Sequence, residues 1–229
     1  MINFKTMKKI CLLAVFFIQC NLFCQVGFVT EINPKLKHIH AEVGSNVGVQ
    51  NTEVFNYDLN LFLTDMLEKS KSEIKSLSDF DFEIFTYYNG FQDKKMIKYL
   101  DDFCKKKGVK KLIIFYRNHF FPPYSPYKNL LNLKFDFGIL TQVRKKKTIY
   151  YMNRAQMAYY NSETKKLSLT YPKVKNESLH YEFVKIQSKE EVVDENHQLI
   201  NSLSLQKDFI NDYEAKIKSS FNNALENLK

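Results

Sequence analysis

The stretch of sequence that decides the fold is MIKYLDDFCKKKGVKKLIIFY, residues 96–116. Asp93 precedes it as a helix cap, and Gly108 is the residue type that ends a helix. Between them runs an apolar stripe with the spacing of one helix face, formed by Met96, Ile97, Leu100, Phe103 and Cys104. The apolar run at residues 109–116 is typical of a buried strand. The segment therefore predicts a helix that leads directly into the central strand of a sheet.

Two further strands and a helix are predicted upstream of this segment. Polar and apolar residues alternate over residues 35–43, which predicts a strand, and residues 44–52 contain the glycine and asparagine typical of a loop. An apolar face at helical spacing runs through residues 56–77, and the aromatic residues 81–88 favour a second strand. The resulting order, β-α-β-α-β, predicts parallel strands joined by right-handed crossovers.

The chain beyond the central strand is predicted to form antiparallel strands. Strand-like residues 133–143, 147–160 and 166–171 are separated by polar turns at Arg144 to Lys147 and Asn161 to Lys165. Short polar turns between strands are typical of hairpins, so we expect these strands to extend the sheet.

Residues 181–187 add a short strand, and residues 195–228 carry a helical apolar stripe. A straight helix of that length would span ~50 Å, more than a compact domain of this size, so we expect a break near Leu205 to Lys207. The predicted fold class is α/β (α+β): a mixed sheet from β-α-β-α-β, followed by antiparallel strands and a carboxyl-terminal helical segment. The predicted boundaries are residues 25–194 for the mixed α/β domain and 195–229 for the helical segment that packs on it.

Residues 1–24 have the layout of a secretory signal peptide. Three lysines form a basic start, and the apolar run Ile10–Ile18 is about half of the ~20 residues that a bilayer-spanning helix needs. Cleavage after Cys24 leaves a mature chain that begins at Gln25, is exported to the periplasm or secreted, and has no transmembrane span. The alternative is a lipid anchor on Cys20 or Cys24.

Removal of this leader changes what the composition implies. The full sequence has a net charge of +9, and three of its lysines lie in the leader, so the mature chain keeps about +6. Basic and acidic residues are interspersed, which does not favour nucleic acid as a partner. Three of the four cysteines also lie in the leader, so Cys104 has no partner for an intramolecular disulfide. Its position on the helical stripe predicts a core residue rather than a nucleophile.

His38, His40 and Glu42 form the first candidate site. Alternate residues of a strand point to one face, so these three side chains are expected to project together. Two imidazoles and a carboxylate are ligands for zinc or another divalent metal. Neighbouring side chains on one face lie about 6–7 Å apart, which does not easily place three ligands around one ion. The alternative is a solvated polar face opposite three inward-facing residues, Ile39, Ala41 and Val43.

The second candidate site is the loop of residues 117–131, RNHFFPPYSPYKNLL, which follows the predicted central strand. Ligand sites in open α/β sheets lie beyond the carboxyl ends of the strands. The prolines restrict this loop and lower the entropy that it loses on binding. The side chains expected to contact a partner are His119, Phe120, Phe121, Tyr124 and Tyr127. The alternative is that these rings pack back over the sheet.

Two segments resemble a group of bacterial envelope domains, the amino-terminal domain of the TolB translocation protein and the curli-secretion lipoprotein family. One is KKKGVKKLIIFYR, residues 105–117, with Lys110 where those proteins commonly have Asp. The other is the hairpin AYYNSETKKLSL, residues 158–169, with Asn161 at an Asp position and Lys165 in place of Gly. The resemblance implies an envelope location and protein partners, and it transfers no catalytic residues.

Together these features predict a non-catalytic, envelope-associated binding or accessory protein that uses no cofactor. Its predicted partner is an envelope protein or another macromolecule. The sequence has no glycine-rich phosphate loop and no GxSxG or HExxH motif, which argues against the common enzyme classes that carry them. The alternative is a metal-dependent or hydrolytic enzyme that uses His38, His40 and Glu42 or the region of His119.

Overall fold

The structure, a computed structural model, describes residues 26–43, 47–70, 73–86, 88, 90–118, 136–173 and 181–229. The predicted leader lies outside these ranges. The strands are β1 (Val26–Thr30), β2 (Lys35–Val43), β3 (Val47–Asp58), β4 (Ile74–Ser76), β5 (Lys111–Arg117), β6 (Phe137–Gln142), β7 (Lys145–Asn153), β8 (Ala155–Asn161), β9 (Lys166–Thr170) and β10 (Tyr181–Gln187). The helices are α1 (Leu59–Glu68), α2 (Lys94–Lys107) and α3 (Ser202–Asn227), with a 3₁₀ turn at Phe82–Phe85. None of these helices is both long enough and apolar enough to cross a membrane.

The described strands form two mixed sheets of five strands each. The first sheet has the order β4-β1-β5-β8-β9, in which β4, β1 and β5 are parallel and β8 and β9 join in antiparallel pairs. The second sheet has the order β10-β7-β6-β2-β3, in which β2 and β6 are the parallel pair. The predicted fold class is confirmed as an α+β fold with mixed strand pairing and a carboxyl-terminal helix, and its strands divide between two sheets.

The segment at residues 96–116 forms the helix and the central strand that its pattern predicts. α2 begins after Asp93, whose side chain accepts a hydrogen bond from the Met96 N–H at 2.8 Å. It ends at Gly108, which adopts the left-handed conformation with φ of 70°. β5 then lies between β1 and β8, and every residue except the first and last of this strand is buried.

The region between β2 and α2 differs most from its prediction. The predicted loop at residues 44–52 is wrong, because β3 pairs along β2 through most of it. The predicted helix at residues 56–77 is too long, because the Asp58 carboxylate caps α1 by accepting a hydrogen bond from the Asn60 N–H at 3.0 Å. Beyond α1 the chain returns to the first sheet as β4.

The aromatic residues 81–88 do not form the predicted strand. The Asp81 carboxylate accepts a hydrogen bond from the Glu83 N–H at 3.0 Å and starts a 3₁₀ turn instead. This turn places the buried ring of Phe85 against Tyr116 of β5, with ring centroids 5.1 Å apart. The aromatic side chain is thus buried without strand pairing.

Two predicted boundaries in the carboxyl-terminal half are wrong. Residues 147–160 form two strands in place of one, since β7 belongs to the second sheet and β8 to the first, with Arg154 between them. The predicted break near residues 205–207 is absent from α3, which runs through 26 residues, or about 39 Å. Both differences arise because this part of the chain spans the two sheets.

Helix α3 packs on both sheets. In its amino-terminal half, Phe209 and Tyr213 stack on Phe137 of β6 with centroid distances of 6.3 and 4.9 Å. In its carboxyl-terminal half, Phe221 contacts Phe28 of β1 at 6.3 Å. The inner faces of both sheets therefore share one apolar core with α1 and α3.

The opposite face of the first sheet is covered by α2 and the 3₁₀ turn. Leu100, Phe103 and Cys104 of α2 are buried on this face together with Ile114 of β5. Burial raises the pKa of the Cys104 thiol to about 12, so the thiol stays protonated at neutral pH. The prediction that Cys104 is a core residue is confirmed.

We expect Phe209→Ala to lower the free energy of unfolding by about 3–5 kcal/mol, because it removes a fully buried ring and leaves a cavity beside the second sheet. Leu203 lies on the same helix and is 82% exposed, so Leu203→Ala is a matched control. Its expected effect is below about 0.5 kcal/mol. Urea denaturation measures both variants, and equally small losses would show that α3 does not dock through Phe209.

Candidate functional site

Four segments of the chain meet at the carboxyl ends of β1 and β5. These strands are parallel neighbours, so the residues that follow them lie at the same edge of the first sheet. The Asn118 N–H donates to the Arg154 carbonyl at 2.7 Å, and the Arg154 N–H donates to the Asp136 carbonyl at 2.8 Å. We call this group of residues the strand-end cluster: Glu31, Asn33, Arg117, Asn118, Asp136 and Arg154.

Asp136 is the buried anion of the strand-end cluster. Its side chain is 2% exposed and forms an ion pair with the Arg117 guanidinium. Its Oδ2 also accepts a hydrogen bond from the Asn33 N–H at 2.8 Å. The Arg117 N–H in turn donates to Glu31 Oε1 at 2.9 Å. Arg117 is therefore fixed through both its backbone and its side chain.

Arg154 brings a second positive charge into the cluster. The residue is 3% exposed, and burial together with the nearby charge of Arg117 lowers the pKa of its guanidinium, while Asp136 opposes this shift. An arginine side chain keeps its proton in proteins because its ordinary pKa is so high. Two guanidinium groups thus share the neighbourhood of one buried carboxylate.

A pocket of about 290 Å³ opens beside the ion pair. Lys35 and Lys37 of β2 lie on its wall, and the Lys35 ammonium pairs with the Asp58 carboxylate at 2.8 Å. The lining residues are Asn33, Lys35, Lys37, Arg117 and Asp136. Three cationic side chains and one buried carboxylate give this pocket a positive balance, which suits a negatively charged group.

The predicted contact loop, residues 117–131, starts in this cluster at Arg117. Its predicted contact residues lie outside the described residues: His119, Phe120, Phe121, Tyr124 and Tyr127. The flanking residues Asn118 and Asp136 are described, and both bond to the backbone of Arg154. The loop therefore stays a predicted contact surface, and the described residues on either side of residues 119–135, Asn118 and Asp136, belong to the strand-end cluster.

The two histidines of the predicted metal set are buried. His38 and His40 are 0% and 1% exposed, so the predicted solvated polar face is wrong. His38 Nδ1 pairs with the Glu53 carboxylate, and His38 Nε2 lies 2.8 Å from Thr141 Oγ1. His40 Nδ1 lies 2.8 Å from the same hydroxyl oxygen. Because a hydroxyl can donate to one imidazole and accept from the other, Thr141 can bond to one nitrogen of each ring.

The segment between β10 and α3 lies against these histidines. The His197 ring stacks on His40 with centroids 4.7 Å apart and 12° between the ring planes. The Leu199 N–H donates to Glu53 Oε2 at 3.2 Å, and Asn51 Nδ2 donates to the His197 carbonyl at 3.2 Å. His197 lies far from His40 in the chain, so no spacing in the sequence could have connected them.

The third residue of the predicted metal set, Glu42, has a different partner. Its carboxylate lies 3.3 Å from the Arg144 guanidinium at an exposed position. Among the described residues, no group of three or more His, Cys, Asp and Glu side chains is arranged to hold a metal ion. The metal-site hypothesis stays a prediction.

Glu53, His38 and Thr141 are hydrogen-bonded in the order carboxylate, imidazole and hydroxyl. This is the order in which a carboxylate orients a general base that activates a hydroxyl nucleophile. The Thr141 hydroxyl, however, lies on a residue that is 1% exposed, and a second imidazole shares it. In this conformation the three groups act as a buried hydrogen-bond network that joins β2, β3 and β6.

Comparison with known proteins gives no further assignment. No protein-family model matches this chain, no curated protein matches it, and no solved structure matches it.

We expect the free energy of unfolding to fall as the pH drops through about 6.5, the ordinary pKa of histidine. Burial lowers the pKa of His38 and of His40, so the folded chain binds these protons more weakly than the unfolded chain. The unfolded state takes up more protons in this range and is stabilised by them. Urea denaturation at a series of pH values measures the slope.

Two variants separate the titrating groups behind this slope. His40→Gln keeps a polar side chain but removes one titrating ring, so it should reduce the loss of stability in acid. Desolvation raises the pKa of Glu31, which adds stability as the pH falls toward the ordinary value of 4.5, so Glu31→Gln should enlarge the loss only there, below the range in which the histidines titrate. A slope that His40→Gln leaves unchanged would contradict a role for these histidines.

Asp136→Asn should lower the free energy of unfolding by about 3 kcal/mol, because it leaves Arg117 and Arg154 beside an uncharged side chain. Glu163→Gln is the control, since Glu163 pairs with Lys110 at 2.7 Å where both side chains are about half exposed. The control should lose much less stability, because water screens an exposed ion pair. Equal losses in urea denaturation would show that burial of Asp136 adds nothing to its ion pair.

Proposed function

We propose that this chain is an exported, non-catalytic binding protein of the cell envelope, whose contact surface is the strand-end cluster and the loop of residues 117–131 that begins there. The observation that carries this proposal is the pocket beside Arg117, at the carboxyl ends of two parallel strands. This edge is where open α/β sheets bind ligands. Backbone hydrogen bonds fix the segments around the pocket, so its walls are preorganised for binding.

The chemistry of this edge supports binding rather than catalysis. Its side chains are guanidinium and ammonium groups together with a carboxylate that is paired with Arg117. Guanidinium and ammonium groups recognise acidic groups, whereas a catalytic nucleophile requires an adjacent base. The Cys104 thiol is buried and kept protonated, and Thr141 is covered.

Export is supported by the leader pattern of residues 1–24, a basic start followed by a short apolar run. The resemblance of residues 105–117 and 158–169 to bacterial envelope domains supports an envelope location.

Expression in a bacterial host and amino-terminal sequencing of the exported chain test the location. We expect the exported protein to begin at Gln25. A blocked amino terminus at Cys20 or Cys24 in the membrane fraction would favour the lipid anchor instead. A full-length chain that keeps residues 1–24 and stays in the cytoplasm would contradict export.

Alanine substitutions in the loop test the contact surface. The assay is chemical cross-linking of the mature chain to its partner in envelope extract. We expect the double variant Phe121→Ala, Tyr124→Ala to lose this cross-linked partner. Its melting temperature should stay within about 2 °C of that of the parent chain. Phe91 is 82% exposed and lies outside the strand-end cluster, so Phe91→Ala should keep the partner. A double variant that keeps its partner but melts at a lower temperature would instead place these rings in the core.

A further inference from the structure

We propose that the pocket beside Arg117 binds an anionic oxyacid group, a carboxylate or a phosphate, which the ligand presents to the strand-end cluster. This inference rests on the proposed function, because it names the chemistry that the contact surface recognises. It follows from the charges that line the pocket, from the way Arg117 is held, and from the size of the pocket.

The lining of the pocket carries more positive than negative charge. Lys35, Lys37 and Arg117 contribute cations, and Asp136 contributes a carboxylate. Asp136 is 2% exposed and paired with Arg117, so its buried negative charge neutralises the positive charge of that guanidinium. Lys35 is balanced by Asp58, which lies outside the lining. The charge of Lys37 then leaves the pocket with a positive excess that favours an anion.

Arg117 is held as a fixed donor on the pocket wall. Its guanidinium pairs with Asp136, while its side chain keeps 31% of its surface exposed. Its Nε–H is buried, and no described residue accepts a hydrogen bond from it. A guanidinium has five N–H donors in a planar fork that matches a carboxylate or a phosphate, so Asp136 leaves donors for a second anion. Because the group is already fixed, binding costs little side-chain entropy.

Arg154 adds to the positive potential near Arg117. It is 3% exposed and close enough to Arg117 for that charge to lower its pKa. Two guanidinium groups therefore act around one buried carboxylate, in a region where burial strengthens each charge interaction. The Glu31 carboxylate lies beside Arg117 and offsets the charge of Arg154, so the positive excess at the pocket comes from Lys37.

The volume of the pocket limits what can enter it. At about 290 Å³ it lies at the lower end of small-molecule sites, which span ~300–1,000 Å³. It accommodates a terminal acidic group with a few adjoining atoms. The rest of a larger ligand remains outside the pocket.

An NMR titration of the mature chain with inorganic phosphate and, separately, with acetate tests the site. Each titration is compared with sodium chloride at the same ionic strength, because screening acts on all surface charges. We expect saturable shifts of the Asn33 and Arg117 backbone amides with phosphate, acetate or both, and none with chloride. Lys37→Gln leaves the ion pair of the cluster intact and should weaken this binding about tenfold. Lys185→Gln removes the same charge from an exposed position on β10 and should leave the affinity unchanged.

The outcomes distinguish the ligand classes and the two proposals. Saturation by phosphate alone assigns the pocket to a phosphate-bearing ligand, and saturation by acetate alone assigns it to a carboxylate-bearing ligand; either result, or both, supports the inference. Equal shifts with chloride, or equal weakening by Lys37→Gln and Lys185→Gln, would overturn it. After such a result, loss of the partner in the Phe121→Ala, Tyr124→Ala variant would still support the proposed function, and retention of the partner would contradict that function as well.

Discussion

The packing of helix α3 between the two sheets is the interaction on which the rest of the structure depends. The rings of Phe137, Phe209 and Tyr213 join α3 to the second sheet, and those of Phe28 and Phe221 join it to the first. Each sheet has an inner face of aromatic and aliphatic side chains, and exposure of that face to water would be costly. By covering both faces, α3 makes one continuous core out of two sheets.

This arrangement also explains where the polar residues gather. A strand that ends where the chain leaves a sheet has backbone groups without ladder partners, and these groups need other hydrogen bonds. Glu31 follows β1, Arg117 ends β5, Asp136 precedes β6, and Arg154 joins β7 to β8, so all four lie where the chain passes between sheets. Their backbone and side-chain groups bond to one another. The charged cluster therefore follows from these passages, and the pocket is the space beside it.

Elements with a local signal could be predicted from the sequence, whereas contacts between distant segments could not. Asp93 and Gly108 mark the ends of α2 by interactions within a few residues, so both ends were predictable. Residues 81–88 have strand-forming side chains, but a local cap and burial of one ring outweigh that preference. Arg154 in the strand-end cluster and His197 beside the buried histidines contact their neighbours only because the tertiary fold brings distant segments together. Spacing along the chain carries no signal for such contacts.

The chain visits the two sheets in turn. It places β1 in the first sheet, β2 and β3 in the second, β4 and β5 in the first, β6 and β7 in the second, β8 and β9 in the first, and β10 in the second. No continuous fragment of the described chain therefore contains one whole sheet without strands of the other, and each sheet needs pairing between segments that lie far apart in the sequence. Topologies that depend on pairing between distant segments fold slowly, in milliseconds to seconds. During this delay the strand edges of both sheets stay unpaired, so the chain remains open to contacts with other proteins until the ladders close.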